Sequence, residues 1–211
     1  MTLAGKHILV TAGPTHEPID PVRVLANRSS GRQGFAIAAA AAAAGARVTL
    51  VSGPVALETP EGVKRIDVET AEQMANAVMA ALPADCAIMV AAVADWRVEV
   101  STAKLKKGDG PPKLKFVATR DILAEVSSHE LRPRLVIGFA AETDNVVENA
   151  IAKQIGKRAD WIVANDVSGD VMGGHRYRVH LVMAHGIEDW PEESKAEVAR
   201  RLVERVSTVL A

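Results

Sequence analysis

The sequence predicts an α/β fold, a Rossmann-like three-layer sandwich with a mainly parallel sheet and a late antiparallel hairpin arm. Three observations carry that prediction. Short aliphatic runs alternate with helical patterns, which implies parallel strands joined by crossover helices. Several runs are apolar on both faces, as strands covered by helices on both sides must be. Apolar residues make up 48% of the chain and aromatic residues only 3%, so the core is built from Ala, Val, Leu and Ile, which suits helices packed closely on a sheet.

The elements follow in order. Residues 7–11 are the first strand-like run, and a long loop then leads to an alanine-rich helix at 34–44. Strands at 47–52 and 64–68, a helix at 71–82 and a strand at 87–93 come next. Residues 104–116, with Gly108, Gly110, Pro111 and Pro112, read as a charged mobile loop leading into a short strand. A helix at 121–128, a strand at 135–139, a helix at 146–158 and a strand at 161–164 complete the alternation. After Asn165 the rhythm changes. Gly169, Gly173 and Gly174 precede an alternating segment at 176–183, expected as an antiparallel strand or hairpin arm, and 192–210 is an amphipathic helix. With 211 residues, no internal repeat and no low-complexity linker, one domain over residues 1–211 is the simplest division.

Bulk properties exclude several function classes. A formal net charge of -1 gives no broad electrostatic argument for nucleic acid or an anionic membrane as partner. No stretch approaches the roughly 20 apolar residues needed to cross a bilayer. Residues 1–6 lead directly into a strand rather than into an apolar segment with a cleavage site. The single cysteine, Cys86, excludes an internal disulfide and reads as a buried, inert thiol. A cytoplasmic location is expected. His175, His180 and His185 lack a metal-ligand spacing, so no zinc site is expected, and no Ser sits in a nucleophile elbow.

In an open α/β sheet, ligands sit beyond the carboxyl ends of the strands. After the first strand comes Thr11-Ala12-Gly13-Pro14-Thr15, and later Asn27-Arg28-Ser29-Ser30-Gly31, with Gly34 opening the helix. Ser29 or Ser30 can cap that helix, while Gly31 and Gly34 let backbone amides approach an anion at its positive end. The alternative is that Gly13-Pro14 is a turn and Ser29-Ser30-Gly31 an ordinary cap. A dinucleotide site would need a short turn with three spaced glycines and an acid ending the second strand, which instead runs Leu50-Val51-Ser52-Gly53-Pro54. The lysine and spacing of a Walker loop are missing, as is the Tyr-x-x-x-Lys pair of a short-chain reductase.

Three further strand ends carry chemistry: residues 91–95, ending in Asp95; Gly138-Phe139-Ala140-Ala141-Glu142-Thr143; and Ala164-Asn165-Asp166. Small residues there make room for a ligand. Each carboxylate either binds ribose hydroxyls or magnesium, or serves as a local cap. Lys153 and Lys157 are four apart and share a helix face, which is either an anion site or a solvated surface. Lys104, Lys106 and Lys107 lie on the glycine- and proline-rich loop, where a cation either closes over a substrate or stays in water.

Taken together, these segments and Asp20-Pro21-Val22-Arg23 resemble phosphopantothenoylcysteine synthetase, in order and over nearly the whole chain. They look like the synthetase part of the bacterial bifunctional coenzyme A enzyme, whose other half is a flavin-dependent decarboxylase. The resemblance implies a ligase that activates the carboxylate of 4′-phosphopantothenate with CTP, releases pyrophosphate, and passes the acyl group from CMP to the amine of L-cysteine. It implies that Asn27 holds the acyl-cytidylate and that Lys104 assists its capture by cysteine. CTP would contact Met89, Val90, Ala91, Asp95, Lys104, Arg120, Asp121, Ile122, Leu123, Phe139, Lys153 and Lys157. Gly13, Ser29, Ser30, Gly31 and Gly34 would form the phosphate and substrate loop. Mg2+ is expected as cofactor, to neutralise the departing pyrophosphate, with Asp95 as its candidate ligand, and the resemblance implies a homodimer that uses the late arm. Two places depart from the family's usual residues: His175-Arg176-Tyr177-Arg178 before the late strand, and Arg120 where Pro is common.

Overall fold

The computed structural model describes residues 2–106, 112–166 and 176–211. Lys107, Gly108, Gly110 and Pro111, and also Gly169, Gly173, Gly174 and His175, lie outside the described residues. The chain runs β1 (His7–Ala12), β2 (His16–Asp20), β3 (Arg23–Ala26), α1 (Arg32–Ala43), β4 (Arg47–Ser52), β5 (Val63–Asp67), α2 (Ala71–Ala80) and β6 (Cys86–Met89). It continues through β7 (Trp96–Val98), β8 (Phe116–Ala118), α3 (Ile122–Ser128), β9 (Leu135–Glu142), α4 (Val146–Lys157) and β10 (Trp161–Asp166), and ends with β11 (Arg176–Met183), β12 (Gly186–Ser194) and α5 (Lys195–Leu210). Eight strands form one sheet in the order β12-β11-β10-β9-β6-β1-β4-β5. The strands from β10 to β5 are mutually parallel, and β11 and β12 add antiparallel. The predicted α/β class and mainly parallel sheet are therefore present.

The period-2 pattern of the strands builds two core layers. Ile8 and Val10 of β1 point to the layer under α1 and α5, with Phe35, Ile37, Val198 and Leu202. Leu9 points to the other, with Met74, Val78, Val126 and Ala150 from α2, α3 and α4. Each such aliphatic side chain, fully buried, contributes about 1.5–3 kcal/mol. In α5, Val198, Leu202, Val206 and Leu210 fall on one face and are buried, and its start is fixed by a capping box between Ser194 and Glu197. Cys86 is fully buried and its thiol is pushed up by that burial, reinforced by the Asp160 and Asp85 charges, as expected for an inert sulfur.

Four local expectations are corrected. The loop between β1 and α1 contains a β-hairpin, β2 with β3, whose pairing is irregular between Pro18 and Asp20; the proline and the short length hide the strand pattern. The run read as a strand over 87–93 leaves the sheet after Met89, because Val90 and Ala91 donate their N–H groups to Thr11 Oγ1 rather than to a strand. Residues 192–194 end β12 instead of starting the last helix. Neither Ser29 nor Ser30 caps α1: its N-cap is Gly31, at φ +71° and with no side-chain cap. The predicted short strand after the charged loop is β8, paired with β7. No helix among the described residues is long and apolar enough to cross a membrane.

Candidate functional site

The order of the parallel strands reverses between β1 and β6: from β1 the chain winds outward through β4 and β5, and from β6 through β9 and β10 in the opposite direction. A crevice must open at the carboxyl ends of those two strands. A cleft of about 780 Å³ lies there, within the ~300–1,000 Å³ common for small-molecule sites.

Its first wall is the start of α1. Gly13 and Gly31 both have left-handed backbone, at φ +76° and +71°, and Ser29 Oγ accepts the Gly31 N–H at 3.3 Å. No side chain caps the helix, and residues 31–34 line the cleft, so the positive end of α1 borders the space where an anion would sit. Gly34 has a different reason to be glycine. A Cβ there would stand 2.6 Å from Ala12 Cβ and 3.0 Å from Thr11 O, so its absence lets α1 press against β1, rather than admitting an anion. Arg28, Arg32 and Lys195 also line this end. Burial, with the Arg32 charge, pushes the Lys195 ammonium below its usual range.

The second wall is the strap of residues 90–95. Thr11 Oγ1 accepts the N–H groups of Val90 and Ala91, each at 3.1 Å, and Thr15 Oγ1 accepts that of Ala94 at 3.0 Å. Asn27, exposed just beyond β3, donates from Nδ2 to Val93 O at 3.0 Å. Asn27 therefore spans the two walls, and Asp95 lies at the end of the strap, exposed.

The third wall joins α3, β9 and α4. Asp121 caps α3 by accepting the Ala124 N–H at 3.0 Å and pairs with Lys157. Burial alone would raise its carboxyl; the Lys157 and Ala124 hydrogen bonds prevail and hold it below the usual carboxylate range. Lys153 donates from Nζ to Phe139 O at 2.7 Å. Burial draws its ammonium below the usual lysine range, and the Glu142, Asp121 and Asp95 carboxylates only partly offset burial and the neighbouring Lys157 charge. An anion arriving beside Lys153 and Lys157 would relieve that imbalance. Arg120 turns its guanidinium to Glu125, Glu72 and Asn76, a brace between α2 and α3.

Met89, Val90, Ala91, Asp95, Arg120, Asp121, Ile122, Leu123, Phe139, Lys153, Lys157, Asn27, Gly13, Ser29, Ser30, Gly31 and Gly34 all line the one cleft. Lys104 does not; it is exposed on the segment after β7. Sequence reasoning missed Arg32, Thr119 and Lys195. Arg32 directly follows Gly31 and was findable, but nothing near Lys195 in sequence signals a site, because α5 reaches it only by packing against α1. Among the described residues no group of three His, Cys, Asp or Glu side chains is placed to hold a metal ion.

The chain matches the model of the DNA/pantothenate metabolism flavoprotein C-terminal domain over residues 3–210. It is 47% identical over 210 residues to the coenzyme A biosynthesis bifunctional protein CoaBC of Escherichia coli, covering 96% of this chain and 52% of that protein. To the CoaBC of Mycobacterium tuberculosis it is 43% identical over 228 residues, covering 99% of this chain and 54% of that protein. It thus spans about half the length of the curated relatives it matches. A crystal structure of the C-terminal domain of a CoaBC protein superposes with a TM-score of 0.84 at 40% identity, covering 98% of this chain and 96% of that one. With a family model matched from end to end and a relative of that similarity, the chain belongs to the DNA/pantothenate metabolism flavoprotein C-terminal domain family.

Proposed function

We propose that this chain is a phosphopantothenate-cysteine ligase of coenzyme A biosynthesis, which activates 4′-phosphopantothenate with CTP to an acyl-cytidylate and condenses it with L-cysteine, releasing CMP and pyrophosphate. The observation that carries this reading is the single cleft lined at one end by an uncapped helix start with Arg28, Arg32 and Lys195, at the other by Lys153 and Lys157, and between them by Asn27. Two cationic ends suit two phosphorylated substrates whose reacting groups meet in the middle. The relatives of this chain that are named for coenzyme A biosynthesis support the choice of substrates.

The chemistry follows from the groups available. A carboxylate is a poor electrophile until it carries a good leaving group, and a cytidylate becomes one when cations hold the charge of the departing pyrophosphate. Lys153 and Lys157 supply positive charge for the CTP phosphates, and the α1 start supplies backbone N–H groups and cations for the phosphate of phosphopantothenate. Asn27 brings an amide donor to the acyl-phosphate junction without a titratable group. Lys104, exposed on the segment after β7, closes over the intermediate and keeps water away from it. Mg2+ fits this site as an ion carried in by the triphosphate, since Mg2+ typically takes only one or two protein carboxylates and keeps several waters. Asp95 is the residue that would hold it, and its contribution is to neutralise phosphate charge. We further take residues 1–211 as one domain, cytoplasmic, homodimeric, and the partner of a flavin-dependent decarboxylase half in the full-length protein.

The deciding experiment is pyrophosphate release from CTP with 4′-phosphopantothenate, with and without cysteine. Release together with formation of phosphopantothenoylcysteine is expected; a pure, folded chain that releases none under either condition sinks the reading. Lys153→Ala is expected to weaken CTP binding about tenfold, the scale of one charge-assisted contact. Unchanged affinity by calorimetry would remove α4 from the site.

A further inference from the structure

Asp20 closes β2 with its side chain wholly shielded from solvent. One oxygen, Oδ1, accepts the N–H groups of Val22 and Arg23 at 2.8 and 2.9 Å and so closes the hairpin turn between β2 and β3. A turn needs nothing more from its carboxylate. The other oxygen, Oδ2, accepts the N–H of Leu105 at 3.1 Å, a residue 85 positions away. Arg23, 3.4 Å from Oδ2, donates from Nη2 to Leu105 O at 3.1 Å. Both backbone groups of Leu105 are therefore gripped by the Asp20–Arg23 pair. Nearby, Ser101 donates its N–H to Ile19 O at 3.0 Å, which stitches a second point of the same segment to β2. Lys104 is the residue immediately before the gripped one. At the far end of β3 stands Asn27, bonded to Val93 in the cleft. One short hairpin thus holds Asn27 at its end and the Lys104 segment at its turn.

We propose that Asp20 is a positioning residue that sets Lys104 in register with Asn27, so that capture of the acyl intermediate by cysteine outruns its hydrolysis. The inference rests on the ligase reading above. In the step concerned, the cysteine amine nitrogen bonds to the acyl carbon, the bond from that carbon to the cytidylate phosphate oxygen breaks, CMP leaves with the electron pair, and the amine gives one proton to water. Loss of register leaves activation intact, because Lys104, although expected from the resemblance to contact CTP, does not line the cleft, and the CTP-end residues that do line it are not touched by the clasp. It slows only the transfer, and water takes the intermediate instead.

Asp20→Asn separates the two duties of the carboxylate. Its single carbonyl oxygen can still close the turn, while an NH2 replaces Oδ2 and meets the Leu105 N–H donor to donor. The experiment measures phosphopantothenoylcysteine formed per pyrophosphate released, in the full chain, beside wild type. The expected result is a fall of about tenfold or more in that ratio, with pyrophosphate release and the KM for CTP near wild type, since small misplacements of a reacting group cost orders of magnitude in rate. An unchanged ratio, or an equal fall in both rates, overturns the proposal, because damage to the fold alone lowers both together. If Asp20→Asn does not fold, Leu105→Pro carries the same test: it deletes the N–H that Oδ2 accepts and leaves the hairpin unaltered. Failure of wild type to release pyrophosphate would count against the ligase reading instead, so the two failures are distinguishable.

Discussion

Asn27→Asp is expected to lower formation of phosphopantothenoylcysteine by about 100- to 1,000-fold, the scale seen when one donor to a developing charge is lost. The substitution keeps size and shape but exchanges the amide NH2 for an oxygen. Asn27 then cannot donate to Val93 O, which it does at 3.0 Å, and a carboxylate facing a backbone carbonyl and an acyl phosphate repels both. The side chain is exposed, so the fold should be unaffected, with a melting curve like that of wild type. Steady-state product formation by the purified variant is the check. A folded Asn27→Asp protein working at the wild-type rate would place the reacting bond elsewhere.

The largest effect on stability is expected from Gly53→Ala. Gly53 follows β4 and donates its N–H to Ala12 O at 2.9 Å. A Cβ there would lie 1.6 Å from Pro14 O and 2.8 Å from Pro14 C. These are backbone atoms of the turn that starts the cleft, so no side-chain rotation relieves the overlap and the Gly13-Pro14 turn must move. The cost is expected at or above the upper end of the ~1–3 kcal/mol typical of overpacking, which for a chain of this size lowers Tm by about 6 °C or more. Ligand binding should suffer with it, because Gly13 lines the cleft. Thermal unfolding measures the effect, and a variant that melts with wild type would show that the two loops are free to separate.

Much of the site was legible because each part sits at a strand end. Thr11, Asp95, Phe139 and Asn165 each follow an apolar run, and strand ends in a parallel sheet share one edge. Lys153 and Lys157 were paired by helical spacing alone. The serines before α1 misled, because a Ser-Ser-Gly string suits a side-chain cap equally well; the left-handed Gly31 occupies the cap position itself. The strand after Cys86 was drawn too long, because residues 90–94 are apolar for lining a cleft and not for joining a ladder. Hydrophobic pattern reports burial, and it does not tell what the burying partner is.

By itself the sequence determined the α/β class, the parallel strands, the two-sided burial of several of them and the strand edge on which the candidate cleft lies, since period, composition and strand ends are local properties. The resemblance in its motifs pointed to the family that the comparisons then bore out. Only the tertiary structure decided which distant residues meet: Lys195 arriving beside Arg32 through the packing of α5 on α1, Asn27 reaching Val93 across 66 positions, and Asp20 taking hold of Leu105. Those contacts depend on how far the chain turns between elements and on which helices share a face, and neither is written in any single stretch of residues.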